Sequence, residues 1–307
     1  MKTITAEEED NLRMGITESP ILTKKEAKAS RSAVCLKKYP KGFVLEISCD
    51  SERLHRLFFD ENYEVIYAKY QNYSTTIHEK GNPFLDNGMS KEELKLVAAQ
   101  LGKPEGEIGI RVGQMMNETN GLMIRNTIKK LSFRQNEYIL ELGHGNANHL
   151  SELHQSADNL TYLGLDISTC MKEEAEAYIS KNGLHSHSSF SLYDGTNIPF
   201  PADTFDKIFT VNTLYFWEQP VTLLTELNRV VKPDGMIVIT LVEEETMQKL
   251  PFTEYGFTRY NREKLQGLIA QSPLKLLDIA CCSEMIKSEM LGEMERKYWI
   301  VTLKKGV

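Results

Sequence analysis

Glu141, Asp166 and Asp194 stand where a glycine-rich turn and two strand ends would present a ligand to them. Glu141 lies in Tyr138-Ile139-Leu140-Glu141-Leu142, just ahead of Gly143-His144-Gly145-Asn146-Ala147-Asn148. Asp166 follows Leu163-Gly164-Leu165 and precedes Ile167, and Asp194 precedes Gly195. Gly143 and Gly145 let the backbone turn sharply and approach a ligand. A helix starting after the turn aims free N–H groups at whatever sits above it. Asp166, roughly 20 residues past the turn, is placed to accept both hydroxyls of a ribose. A dinucleotide fingerprint wants a third glycine where Asn148 stands, and Glu141 would repel a pyrophosphate. That weakens a nicotinamide cofactor without removing it.

Proton-handling candidates are His144, within the turn, and Tyr215, ahead of Phe216 and Trp217. His144 could equally pack or donate to a ligand, and the three aromatics could equally wall a pocket. No metal site is expected. His144, His149 and His154 are five apart, so a helix scatters them, and His185 and His187 have no cysteine nearby.

These residues need strands to hold them. Expected strands are Tyr138–Leu142, Leu160–Leu165, Ser189–Leu192, Phe205–Val211, Met236–Leu241, Leu274–Ala280 and Tyr298–Lys304. A helix follows the glycine turn, and others span Met171–Ile179 (capped by Ser168), Pro220–Val231 and Asn261–Ala270. Strands alternating with helices imply an α/β fold, a doubly wound and mostly parallel sheet of seven strands. The last two strands, joined by polar Ser283–Lys297, pair as an antiparallel hairpin. Such sheets bind ligands at the carboxyl ends of their strands, near the reversal of strand order.

Four regions are expected: a polar segment 1–30, a small α+β module 31–88, a helical lid or linker 89–134, and the catalytic domain 135–307. In the first, Lys24–Ser32 could be helical. The module has strands at Ala33–Leu36, Phe43–Ile47 and Tyr63–Tyr70, with a helix at Leu54–Phe59. Gly81–Gly88 is a loop, and Ser90 caps a helix to Leu101. Gly102–Gly106 breaks it. A second helix starts near Ile108, and Gly121 kinks or divides it. Its Met115 and Met116 read as core filler, but Asn117, Glu118, Thr119 and Asn120 are odd on an apolar face. They fit a lid over the ligand cleft, or plain packing.

The formal charge of -7 over 307 residues argues against a dedicated nucleic-acid partner. No apolar run is long enough to span a membrane. The five cysteines form no CxxC pair and read as buried reduced thiols, which points to the cytoplasm. The aromatics of the N-terminal module are core, a substrate wall, or a homodimer surface.

Four ordered motifs carry a family resemblance. They are Glu141–Ala147, Leu163–Ser168, Tyr193–Pro201 with Thr204-Phe205-Asp206, and Leu227–Gly235. Over about 138–304 the chain resembles class I S-adenosylmethionine-dependent methyltransferases, of the small-molecule type similar to ubiquinone and menaquinone C-methyltransferases. Ala147 departs from the family's third glycine, and Asp234 from the middle of a Pro-Gly-Gly. The resemblance implies S-adenosylmethionine as cofactor, near Glu141, Gly143, Gly145, Asp166, Ile167, Asp194, Gly195 and Asn212. It places Glu141 near the ligand's ammonium and Asp194 at the adenine amino group. Asn212 and its loop come near the sulfonium. Met116, Asn117, Asn120, Phe216 and Trp217 would face a small-molecule acceptor. A non-catalytic S-adenosylmethionine-binding regulator is the alternative within that reading.

Overall fold

The computed structural model describes residues 32–39, 42–49, 53–59, 65–71, 91–184, 186–288 and 292–306. The chain divides into two units, Met1–Gly81 and Asn82–Val307. In the first, β1 (Ser32–Tyr39), β2 (Gly42–Cys49), β3 (Arg53–Phe59) and β4 (Val65–Gln71) form an antiparallel sheet in sequence order. The expected helix at Leu54–Phe59 is therefore a strand, and the described part of the module is all-β. A stretch this short cannot stabilise a helix alone, whereas β3 gains ladders on both sides. The helix expected over 24–32 lies outside the described residues except for Ser32, which opens β1. The loop at 81–88 and the cap at Ser90 also lie outside them.

The second unit opens with helices α1 (Lys91–Gly102) and α2 (Gly106–Leu131). Its sheet contains β5 (Tyr138–Leu142), β6 (Thr161–Asp166), β7 (Ser188–Leu192), β8 (Phe205–Val211), β9 (Val231–Val242), β10 (Lys275–Ser288) and β11 (Gly292–Lys304). The strand order is β10-β11-β9-β8-β5-β6-β7. Pairs from β7 through β9 are parallel, and β11 is antiparallel to both neighbours. The chain winds outward from β5 to β7, then returns to place β8 on the other side of β5. That reversal opens a crevice at the carboxyl ends of β5 and β8.

Burial follows from this layering. Ile139, Leu140, Glu141 and Leu142 are all buried, as a parallel strand covered on both faces requires. The connecting helices are α3 (Leu150–His154), α4 (Thr169–Asn182), α5 (Pro220–Val230), α6 (Glu244–Met247) and α7 (Arg262–Ala270). Ser168 caps α4 by accepting from the Met171 N–H, and Asn261 caps α7 through the Lys264 N–H. The helix after the glycine turn is only the short α3. No helix of the described residues is long and apolar enough to cross a membrane.

Two features differ from expectation in ways that shape the site. Helix α2 runs unbroken through Gly121. A lone glycine costs a helix about 1 kcal/mol, which packing along its length outweighs. The C-terminal half lies on the sheet: Thr127 bonds Thr240 at 2.6 Å, Asn126 bonds Tyr298 at 2.6 Å, and Lys130 pairs with Asp278 at 2.8 Å. The hairpin is also longer than expected. Strand β11 pairs with β9 only from Tyr298 onward, so residues 283–288 and 292–297 form a ribbon that projects past the sheet. Within it Glu284 and Ile286 point inward, as do Met294 and Arg296, while their neighbours Ser283, Met285, Glu293 and Glu295 face solvent. Cys281 is exposed on β10, at the sheet edge, and Cys170 and Cys282 are half-buried, so these described thiols are not core residues.

Candidate active site

The glycine turn adopts the backbone that its residue types permit. Gly143 has φ +71°, and a Cβ there would lie 2.4 Å from Thr213 Cγ2. Gly145 has φ +55°, and a Cβ there would meet nothing within 4 Å, so space stands open above it. Ala147 sits at φ +55° with its side chain fully buried. This left-handed position disfavours any Cβ, which explains why a glycine is expected there.

Asp166 ends β6 beside the turn. Its Oδ2 accepts the Gly145 N–H at 3.1 Å and its Oδ1 accepts the Ser168 N–H at 2.9 Å. A carboxylate offers about four lone-pair sites, so it can still receive a diol. Burial pushes its pKa up to about 6, against the pull of those N–H groups. Around Gly195, at φ +83°, the side chain of Ile167 is close, and Ile167 and Leu192 are exposed apolar residues. Asp194 is exposed. Its Oδ1 accepts N–H groups of Thr196 (2.8 Å) and Asn197 (2.7 Å), which hold its pKa below the usual carboxylate range. It shapes the loop that carries Gly195.

Glu141 lies under the turn, 2% exposed, with Oε2 2.8 Å from His149 Nε2 and accepting the Tyr162 hydroxyl. His144 is also buried. Its Nδ1 is 2.6 Å from the Gly145 carbonyl, and its ring packs on Phe190 at 4.6 Å and against Gly164. Burial lowers its pKa to about 4. A ring that weakly basic and packed inward is poorly suited to take a proton from an acceptor.

A cavity of about 110 Å³ lies beyond β8. Met115, Met116, Thr119 and Asn120 of α2 wall it on one side, and Asn212, Tyr215 and Phe216 on another. Ile286, Met294 and Arg296 of the hairpin close it. Asn212, at φ +59°, donates from Nδ2 to Asn120 Oδ1 at 3.1 Å. The Tyr215 hydroxyl donates to Asn212 Oδ1 at 3.0 Å and accepts the Val242 N–H. Burial raises its pKa, so it acts as a strut and remains protonated.

Helix α2 also roofs the turn: a Cβ on its Gly113 would lie 3.0 Å from Met171 Sδ and 3.7 Å from Asn146 Nδ2. Asn117 is outside the cavity lining. Trp217 is outside it too, packed in the core with Nε1 donating to Thr213 at 3.1 Å.

The methyltransferase domain family matches residues 140–239, from within β5 to within β9. The matched region is a class I S-adenosylmethionine-dependent methyltransferase domain. Its relatives include the uncharacterized methyltransferase YdaC of Bacillus subtilis (strain 168). It is 25% identical over 135 residues, covering 43% of this chain and 71% of that protein. The malonyl-[acyl-carrier protein] O-methyltransferase of Marinomonas sp. is 24% identical over 53% of this chain. The match spans only 58% of that protein's length. The fold is shared with a chain from the Haloferax volcanii complex of the Trm112 methyltransferase activator with a methyltransferase. There the TM-score is 0.56 at 16% identity, over 71% of this chain and 98% of that one.

The methyltransferase's own residues fit S-adenosylmethionine. The turn leaves open space over Gly145, Asp166 holds a buried carboxylate beside it, and Ile167 offers an apolar face next to Gly195. Among the described residues no cluster of His, Cys, Asp and Glu could hold a metal. Sequence reasoning missed Arg296, Met294 and Phe257 in the cavity wall. Only the period-2 alternation of the ribbon signals the first two, and the many polar residues around it obscure that pattern.

Proposed function

We propose that this methyltransferase passes a methyl group to a small, largely apolar acceptor held under α2. The cavity carries this reading. Methionine, phenylalanine and leucine dominate its lining, and its polar groups gather around Asn120, Asn212 and Arg296. That combination is typical of small-molecule sites, where a few polar groups orient an apolar ligand. Together with the charge of -7 it favours a small molecule over RNA.

S-adenosylmethionine supplies an activated methyl group on a sulfonium. Gly143 and Gly145 cradle it, Asp166 takes the ribose hydroxyls, and Ile167 and Gly195 flank the adenine in this reading. Glu141, clamped by His149 and Tyr162, adds negative potential beneath the ammonium. The acceptor's nucleophilic atom bonds to the methyl carbon as the carbon–sulfur bond breaks, S-adenosylhomocysteine is the leaving group, and any proton on that atom is lost to bulk solvent once the site opens to release the product. Asn212 orients the reacting groups, and α2 with Phe216 excludes water. Alignment and water exclusion account for the rate without a dedicated base. His144 and Tyr215 are buried supports in this scheme.

The names of the matched relatives give no support to a quinone, so the acceptor stays at this class. The described part of the N-terminal unit is an antiparallel sheet, proposed as a homodimer surface; sedimentation of the full chain over a concentration series tests it. The main test is release of S-adenosylhomocysteine from S-adenosylmethionine across a panel of small apolar alcohols, phenols, amines and acids. Acceptor-dependent release is expected. Tight S-adenosylmethionine binding with no release across the panel would sink the small-acceptor reading.

A further inference from the structure

The cavity wall includes Arg296, one half of a buried ion pair whose geometry restricts what an acceptor can present there. Arg296 is 4% exposed, and it is the charged residue among those lining the cavity. Its Nε and Nη2 both donate to Glu284 Oε1, at 3.1 and 2.6 Å. Nη2 also donates to the Thr119 carbonyl, and Nη1 donates to Asn120 Oδ1 at 3.2 Å. A guanidinium has five N–H groups. Those four bonds leave one N–H, on Nη1.

This matters in two ways. A carboxylate is recognised by an arginine through two parallel N–H bonds, and one remaining N–H cannot form that fork. Glu284 already balances the guanidinium charge. A second carboxylate would enter a buried, apolar space beside an existing anion, uncompensated, which is strongly unfavourable. A neutral oxygen needs only one donor. The cavity is of the same order as the engineered apolar cavity of about 150 Å³ that takes up benzene, which suits a compact single-ring ligand.

We infer that the Arg296–Glu284 pair makes this site selective for an uncharged acceptor bearing one hydrogen-bond-accepting oxygen, of the phenol or ketone class, and against carboxylates. The inference rests on the methyl-transfer reading and narrows its substrate. Selection resides in Glu284 as much as in Arg296: the glutamate, outside the cavity lining, sets the charge that an acceptor meets.

The test uses the full-length protein saturated with S-adenosylhomocysteine at pH 7, titrated calorimetrically with phenol and with benzoate. Phenol is expected to bind at least about tenfold more tightly. In Glu284→Gln, an isosteric change that leaves Arg296 unbalanced, benzoate is expected to gain at least about tenfold relative to phenol. Benzoate binding as tightly as phenol to the unaltered protein overturns the inference. So does an unchanged ratio in a folded Glu284→Gln, or no phenol binding by a protein that binds S-adenosylhomocysteine. If the variant does not fold, the ratio on the unaltered protein decides. Failure to bind S-adenosylhomocysteine is a separate result, which removes the methyl-transfer reading and this inference with it.

Discussion

The two sides of the cleft are built by different means. The proposed donor side is local. Glu141, Gly143, Gly145 and Asp166 lie within two adjacent strands and their turns, and Asp194 and Gly195 follow the next strand. The proposed acceptor side is assembled from distant parts. Asn120 on α2, Asn212 after β8 and Arg296 on β11 meet in one hydrogen-bonded chain, with Asn120 at its centre. A compact motif can hold a ligand that never varies, whereas an acceptor pocket has to be closed by elements from across the chain. The contrast implies that damage to the donor side removes binding outright, and damage to the acceptor side leaves a protein that binds donor and turns over poorly.

The sharpest break is Asp166→Ala. Losing hydrogen bonds to a charged acceptor should weaken S-adenosylhomocysteine binding by about 100-fold or more, measured by calorimetry. Next is a paired comparison at the turn. Gly145→Ala places a methyl in the open space above the turn and should weaken binding about tenfold, with a stability loss of only about 1–2 kcal/mol from the left-handed backbone. Gly143→Ala drives a methyl into Thr213 and should lose stability further, by about 3 kcal/mol. Thermal unfolding and titration together separate the two. If Gly145→Ala binds the donor normally, the cradle is misassigned.

On the acceptor side, Asn120→Ala should lower turnover about tenfold while donor affinity stays within about threefold. Unchanged turnover and affinity would show that α2 only packs over the cleft. The smallest effect concerns pH. Asp166 has its folded pKa raised to about 6. Its favourable contribution to the free protein is therefore complete below the unfolded value and lost as pH rises through 6. Ribose hydroxyls need the ionised form, so donor affinity should be flat above pH 7 and about twofold weaker at pH 6. Asp166→Asn should flatten that profile.

Much of the fold around the proposed donor side was legible in sequence because each motif is short and its physics local. The boundaries of β5 and β8, the cap at Ser168 and the glycine turn all follow from residue type. Leu54–Phe59 misled because its conformation is set by partners on both sides. The ribbon misled because polar residues alternate with its inward Glu284, Ile286, Met294 and Arg296. Arg296 bonds Asn120 across 176 residues of chain, a pairing that no local pattern announces. Trp217 reads as a pocket aromatic beside Tyr215 and Phe216, yet the short turn at Leu214–Phe216 directs it into the core.

The ribbon at 283–288 and 292–297 extends beyond the paired sheet, since β11 joins β9 only from Tyr298 onward. Substitutions in it therefore reshape the acceptor wall without disturbing the strand pairings that hold the donor turn. Over generations, such a protein can change what it methylates by drift in one hairpin while inheriting its methyl-donor site intact.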